Sequence, residues 1–185
     1  IEFDDNDYRI LFRYAAEREI LMFMSVWDLP SLEFALTFQS DFIKIPSAML
    51  TNAHLVRACA DSGRHVILST GMSTLAEVTS AEPILRHNAV DFTLLHCHSA
   101  YPAPRDELNL LMIPQLAEMF LCNVGYSAHQ IGHAATQWAV ALGAKMVEQH
   151  ITLNRSMWGT DQQSSLEPIE FLRMVSHIRS LERAM

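Results

Sequence analysis

The sequence predicts a parallel α/β protein of the (β/α)8 TIM-barrel type. Short apolar runs alternate with longer segments of helical spacing, the pattern of repeated strand–helix units. No G-x-G-x-x-G turn follows any run, so the signature of the rival open doubly wound sheet is missing. Polar, chemistry-bearing residues stand at the ends of successive runs, where a barrel gathers its functional groups.

The elements follow in order. The chain opens on a helix-like segment, DNDYRILFRYAAEREI, and then gives a first strand, ILMFMSV (20–26). The next strand, FIKIPS (42–47), leads to NAHLVRACADSG. There Asn52 can cap a helix, Leu55, Val56 and Cys59 share a face, and Gly63 can end it. Strands HVILST (65–70), FTLLHC (92–97), NVGYS (123–127) and KMVEQHITL (145–153) complete a set of six. Between the last two, IGHAATQWAVALGA places Ile131, Ala134, Ala135, Trp138 and Leu142 in register, with Gly143 as the stop. The final helix has Ser165 as its expected N-cap, Pro168 in the first turn, and Leu172, Val175 and Ile178 facing inward. A complete barrel needs eight strands. The expectation is therefore one partial barrel domain over residues 1–185 that lacks the first two β units.

Composition bounds the function. Half of the 185 residues are apolar and 18% are charged, which is the balance of a well-buried globular chain. A formal net charge of −8 argues against a nucleic-acid or anionic-membrane surface. It leaves room for an anionic substrate held by a few local cations. Three cysteines, Cys59, Cys97 and Cys122, show no paired spacing, so reduced thiols and a cytoplasmic location are expected. No apolar run reaches the ~20 residues of a membrane helix. The acidic start at Ile1 is not expected to be a signal peptide.

Collected along the chain, the strand ends are Ser25, Lys44 with Ser47, Ser69 with Thr70, His96 with His98, Ser127 with His129, and His150. Lys44 sits inside an apolar run, and a lysine buried in a strand is costly unless its ammonium meets an anion. Phosphate binding or a Schiff base are its two chemical uses, and the surrounding hydroxyls favour phosphate. Ser69, Thr70 and Gly71 form a small-residue turn that can cradle an anion, although the same turn serves as an ordinary N-cap. His129 and His150 end consecutive strands, and two neutral imidazoles can hold a divalent metal while leaving positions for substrate oxygens. His96 reads as a core histidine. Residues 94–104, LLHCHSAYPAP, break from an apolar strand into imidazoles, a hydroxyl and a phenol, and Asp161 lies in a polar loop beyond the last strand. Spacing leaves open whether Tyr101 and Asp161 touch substrate.

Five stretches carry a resemblance. KIPSAMLTN, ILSTGMSTLAEV, LLHCHSAYPAP, NVGYSAHQIG and GAKMVEQHITLNRSMWGTDQQSSLEP stand in the order and approximate spacing of the sialic acid (N-acetylneuraminate) synthases. The chain resembles that family over nearly its whole length. The resemblance implies a (β/α)8 barrel, usually followed by an antifreeze-like domain, which is not expected within residues 1–185. It implies condensation of phosphoenolpyruvate with an N-acetylated amino sugar, typically N-acetylmannosamine, using Mn²⁺, with Mg²⁺ or Co²⁺ as alternatives. It also implies a homodimer. By the same resemblance His129 and His150 match metal ligands. Lys44, Ser47, Ser69, Ser99 and Ser127 match positions lining the phosphoenolpyruvate site, and Tyr101 and Asp161 match sugar contacts.

The chain departs from the family at Met49, where many members have an acidic residue that helps hold the sugar. It departs again at Ala128, an aspartate in many members, and at His98, where threonine is commoner. Two rival readings stand beside the synthase: a Schiff-base aldolase using Lys44, and an inactive barrel fragment or binding module.

Overall fold

The computed structural model describes residues 3–87 and 91–185; Ile1 lies outside them. Helix α1 (Asp5–Glu17) starts on Asp4, whose carboxylate accepts from Asp7 N. Helix α2 (Leu29–Leu36) starts on Asp28, which accepts from Ser31 N at 2.8 Å. Then strands and helices alternate: β1 (Phe42–Ile45), α3 (Ala53–Asp61), β2 (His65–Ser69), α4 (Leu75–His87), β3 (Phe92–Cys97), α5 (Met112–Phe120), β4 (Asn123–Ala128), α6 (Ala134–Ala141), β5 (Val147–Gln149) and α7 (Pro168–Ala184).

All five strands are parallel, and they pair in sequence order, β1-β2-β3-β4-β5. A doubly wound sheet must reverse its strand order at a switch point. Here there is no reversal, so the sheet is a curled half-barrel with its strand ends on one rim. The face turned to the helices carries Ile43, Ile45, Val66, Leu68, Leu94, Val124 and Tyr126. These pack with Leu55, Val56, Val78, Leu85, Ile113 and Leu116 in one buried cluster. Alternation then sends Lys44, Ile67, Ser69, Leu95, Ser127 and Glu148 to the opposite face. Gly125 on that face has no room for a side chain, because an added Cβ would lie 2.5 Å from both Leu95 Cδ2 and Met146 O.

Three expectations need correction. The run 20–26 is not a full strand. It joins the sheet through one bridge, Ser25 opposite Lys44, with Val26 N donating to Lys44 O (2.9 Å) and Lys44 N to Met24 O (3.1 Å). Among the described residues nothing pairs on its other side, so Ile20 and Leu21 stay exposed. In α6 the buried positions are Ala135, Thr136 and Ala139, while Ile131 and Trp138 are half exposed. Small residues let this helix lie close to the sheet, and the indole has to turn outward. Helix α7 starts two residues later than expected, after Glu167, whose N donates to Glu170 Oε2 (3.1 Å). Ser165 instead donates to Asp161 O, and the buried face is Met174 with Ile178 rather than Leu172 and Val175.

Other details follow the sequence. Asn52 caps α3 by accepting from Leu55 N, and Gly63 follows that helix at φ +71°. Gly143 follows α6 at φ +100°. No helix among the described residues is long and apolar enough to cross a membrane.

Candidate active site at the strand ends

A cavity of about 640 Å³ opens where the carboxyl ends of the strands meet, and its wall contains Lys44, Ser47, Ser69, Ser99, Tyr101, Ser127, His129, His150 and Asp161. All nine residues that the resemblance matches to metal or substrate positions therefore share one mouth, whereas Thr70, His96 and His98 line a neighbouring cavity. Glu148, Ser25, Phe23, Trp27, Met72, Pro46 and Ala48 complete it.

One side of the mouth gathers an ammonium, serine hydroxyls and a glycine turn, groups able to meet an anion. Lys44 is buried in β1 and its Nζ lies 3.1 Å from Glu148 Oε2. Ser127 Oγ donates to the same carboxylate at 2.7 Å. Ser69 Oγ is buried and has no hydrogen-bond partner, which leaves a hydroxyl facing the cavity at a cost that a ligand oxygen would remove. Gly71 keeps the turn after β2 open: an added Cβ would sit 2.2 Å from Ser99 Oγ and 2.8 Å from both Ser47 Oγ and Cys97 Sγ. Ser47 Oγ in turn accepts from Gly71 N at 3.1 Å. Two serine hydroxyls and a backbone N–H thus gather around a glycine that makes the space.

The other side is built from imidazoles. His129 and His150 stand with ring centroids 5.3 Å apart and planes at 80°, and the Tyr101 ring packs 4.1 Å from the first and 5.6 Å from the second. His129 is bracketed by the chain after β3. Its Nδ1 donates to His98 O (2.7 Å), and its own carbonyl accepts from Ala103 N (2.9 Å). A proton committed to Nδ1 leaves the Nε2 lone pair, 3.3 Å from Ser127 Oγ, turned to the mouth. Burial, reinforced by His150 and Lys44, holds the His129 imidazole below its usual pKa against the opposing pull of the His98 carbonyl and Glu148. It stays neutral and able to ligate. Asp161 Oδ2 lies 3.8 Å from His150 Nδ1. Burial, then Cys97, Asp161 and Glu148, push the Tyr101 phenol up to about 12, so it remains a hydrogen-bond donor.

The donor set fits a divalent cation only as an open site. It offers two imidazoles, one with its tautomer fixed by a backbone carbonyl, and the remaining positions fall to water or substrate. Among the described residues no group of three or more His, Cys, Asp and Glu side chains is arranged around a common ion position.

The sequence reading missed Glu148. Its signal was present, because Glu148 and His150 are two residues apart and alternation places both on the cavity side. Its partner is 104 residues away in the chain, which no local pattern reveals. His96, read as a core residue, is only partly buried and lines a neighbouring cavity; its Nε2 lies 2.8 Å from Leu108 O, and burial lowers its pKa. Met49 packs against the apolar core and takes no part in the mouth.

The sequence pattern of the NeuB family matches residues 1–185. The chain is 36% identical over 188 residues to an N,N'-diacetyllegionaminic acid synthase of Campylobacter jejuni, covering all of this chain and 56% of that protein. It is 36% identical over 186 residues to the N-acetylneuraminate-9-phosphate synthase of Homo sapiens, covering all of this chain and 52% of that one. The chain thus spans little more than half the length of these relatives. Its fold superposes with a TM-score of 0.96 on an N-acetylneuraminic acid synthetase of Leptospira borgpetersenii, at 33% identity over 99% of this chain and 64% of the other.

Proposed function

Because the chain belongs to the NeuB family, we propose that its mouth is the phosphoenolpyruvate-binding and metal-binding part of a synthase site. The reaction would join phosphoenolpyruvate to an N-acetylated amino sugar and release phosphate, leaving a 2-keto-3-deoxy nonulosonic acid. The observation that carries this reading is Ser69 Oγ, buried without a partner beside the Gly71 opening. A tetrahedral anion satisfies such a group, and Lys44 with Ser47 and Ser99 supplies the remaining charge and hydrogen bonds.

An arriving phosphate competes with Glu148 for the Lys44 ammonium and is fixed there by the serines, which aims the enol carbon across the mouth. A divalent cation held by His129 and His150, Mn²⁺ with Mg²⁺ or Co²⁺ as alternatives, would supply Lewis-acid polarisation of the open-chain sugar's aldehyde oxygen. The enol carbon would form the new C–C bond as the aldehyde C=O π bond opens to an alkoxide, water would capture the cationic C2 and pass its proton to that alkoxide, and the tetrahedral adduct would expel phosphate to leave the 2-keto group. Asp161 on the rim accepts from sugar hydroxyls. Tyr101, protonated and packed on both imidazoles, keeps them facing the cavity.

One feature opposes the Schiff-base alternative. Lys44 is ion-paired to Glu148, and a Schiff-base lysine must instead shed its proton and keep its nitrogen free. With the family reading go a single partial barrel domain over 1–185, a homodimer and a cytoplasmic location.

The test has two arms. Calorimetric titration of the 185-residue chain with phosphoenolpyruvate is expected to show binding that Lys44→Met abolishes; no binding, or binding indifferent to Lys44→Met, overturns the anion site. Phosphate release with N-acetylmannosamine and Mn²⁺ is then measured on the full-length protein. Release that survives a chelator overturns the metal assignment.

A further inference from the structure

A second pair of histidines lies outside the mouth, on the helices behind β4 and β5. His133 is the N-cap residue of α6 and makes no side-chain capping bond. His177 projects, exposed, from the middle of α7. Their ring centroids are 5.5 Å apart at 52°. The side chain of Gln137 reaches between them, its Nε2 2.6 Å from His133 Nδ1 and 3.3 Å from His177 Nδ1. Two imidazole nitrogens from different helices therefore point at one position, which an amide nitrogen fills by donating a proton to each.

We propose that this position is a surface metal site, in which His133 Nδ1, His177 Nδ1 and the Gln137 amide oxygen take up Zn²⁺ or Cu²⁺. The two nitrogens are lone-pair acceptors as they stand, which is the form a metal needs. The Gln137 side chain withdraws from this position to admit the ion, and a half-turn of its amide then presents Oε1 as a third ligand without moving the backbone. Zn–N bonds are ~2.0–2.1 Å, so the rings must close on the ion; His177, being exposed, is free to do so. Burial, then His177 and Arg173, lower the His133 pKa, which favours the ligating form near neutral pH.

The chemistry also selects the metal. The charged neighbours acting on His133 are His177 and Arg173, both cationic when charged. A hard cation such as Mn²⁺ or Mg²⁺ finds no carboxylate in this ligand set, whereas imidazole suits zinc and copper. Occupancy would tie α6 to α7, the two helices that follow the strands presenting His129 and His150.

Zinc titration by calorimetry at pH 7.5 tests the proposal, first in the His129→Ala/His150→Ala chain so that the mouth does not contribute. One equivalent is expected to bind there. Adding His177→Ala is expected to weaken binding at least about tenfold, and Gln137→Glu to tighten it by supplying a carboxylate. No zinc binding in the mouth variant overturns the site, as does binding indifferent to His177→Ala. Should the mouth variant not fold, the intact chain decides: His177→Ala, at an exposed position, must lower the zinc stoichiometry by one, and an unchanged stoichiometry overturns the proposal.

Discussion

The two histidine pairs have nearly the same spacing and opposite surroundings. His129 and His150 are 5.3 Å apart, His133 and His177 5.5 Å. The inner pair is set by the backbone, with His129 Nδ1 on a carbonyl, the Tyr101 ring across both imidazoles, and the carboxylates of Glu148 and Asp161 in the same cavity. The outer pair is set by one glutamine side chain and faces Arg173. Spacing alone makes neither pair a particular site. The fixed tautomer and the neighbouring charge decide which cation each can accept and how firmly the rings are held.

The largest expected effect separates the pairs by metal. In the full-length protein, His150→Ala should abolish Mn²⁺-dependent turnover, while His177→Ala leaves it within about twofold; equal losses would erase the distinction. A second test acts on what the inner pair faces. Gly71→Ala places a Cβ in van der Waals overlap with the Ser99 and Ser47 hydroxyls. It should weaken phosphoenolpyruvate binding by one to two orders of magnitude, about 1.4–2.8 kcal/mol, and leave zinc binding at the outer pair unchanged. Loss of both would mean that the substitution unfolds the rim rather than filling the cradle.

The smallest effect is a pH dependence. His96, His129 and His133 all have pKa values lowered mainly by burial. The folded state prefers them neutral, so stability is complete above the ordinary imidazole pKa of ~6.5 and is lost as pH falls through that value towards the depressed ones. The thermal midpoint should therefore decline on acidification from about pH 6.5. His96→Gln should flatten the decline more than His133→Gln, because His96 is the more buried of the two. Equal flattening would mean that burial is not what sets the difference.

Much of this was legible in the residues. The 3.6 and 2.0 periods placed α3 and the strands β1 to β4, and strand-end residues named the mouth before any pairing was known. The failures share a cause. Residues 20–26 have the composition of a strand, but a strand is made by its neighbours, and this one has a partner along only its last residues. Trp138 and Leu172 fit a helical stripe, yet which stripe is buried depends on what the helix meets, and both face outward.

The sequence by itself determined the order of the elements, the parallel architecture and the set of polar groups at the strand ends, because periodicity and turn chemistry act within a few residues. Only the tertiary structure decided that Lys44 meets Glu148, that Ser69 is left without a partner, and that His133 and His177 converge on Gln137. Those meetings depend on inter-strand register and helix orientation, and both are fixed by packing between residues far apart in the chain.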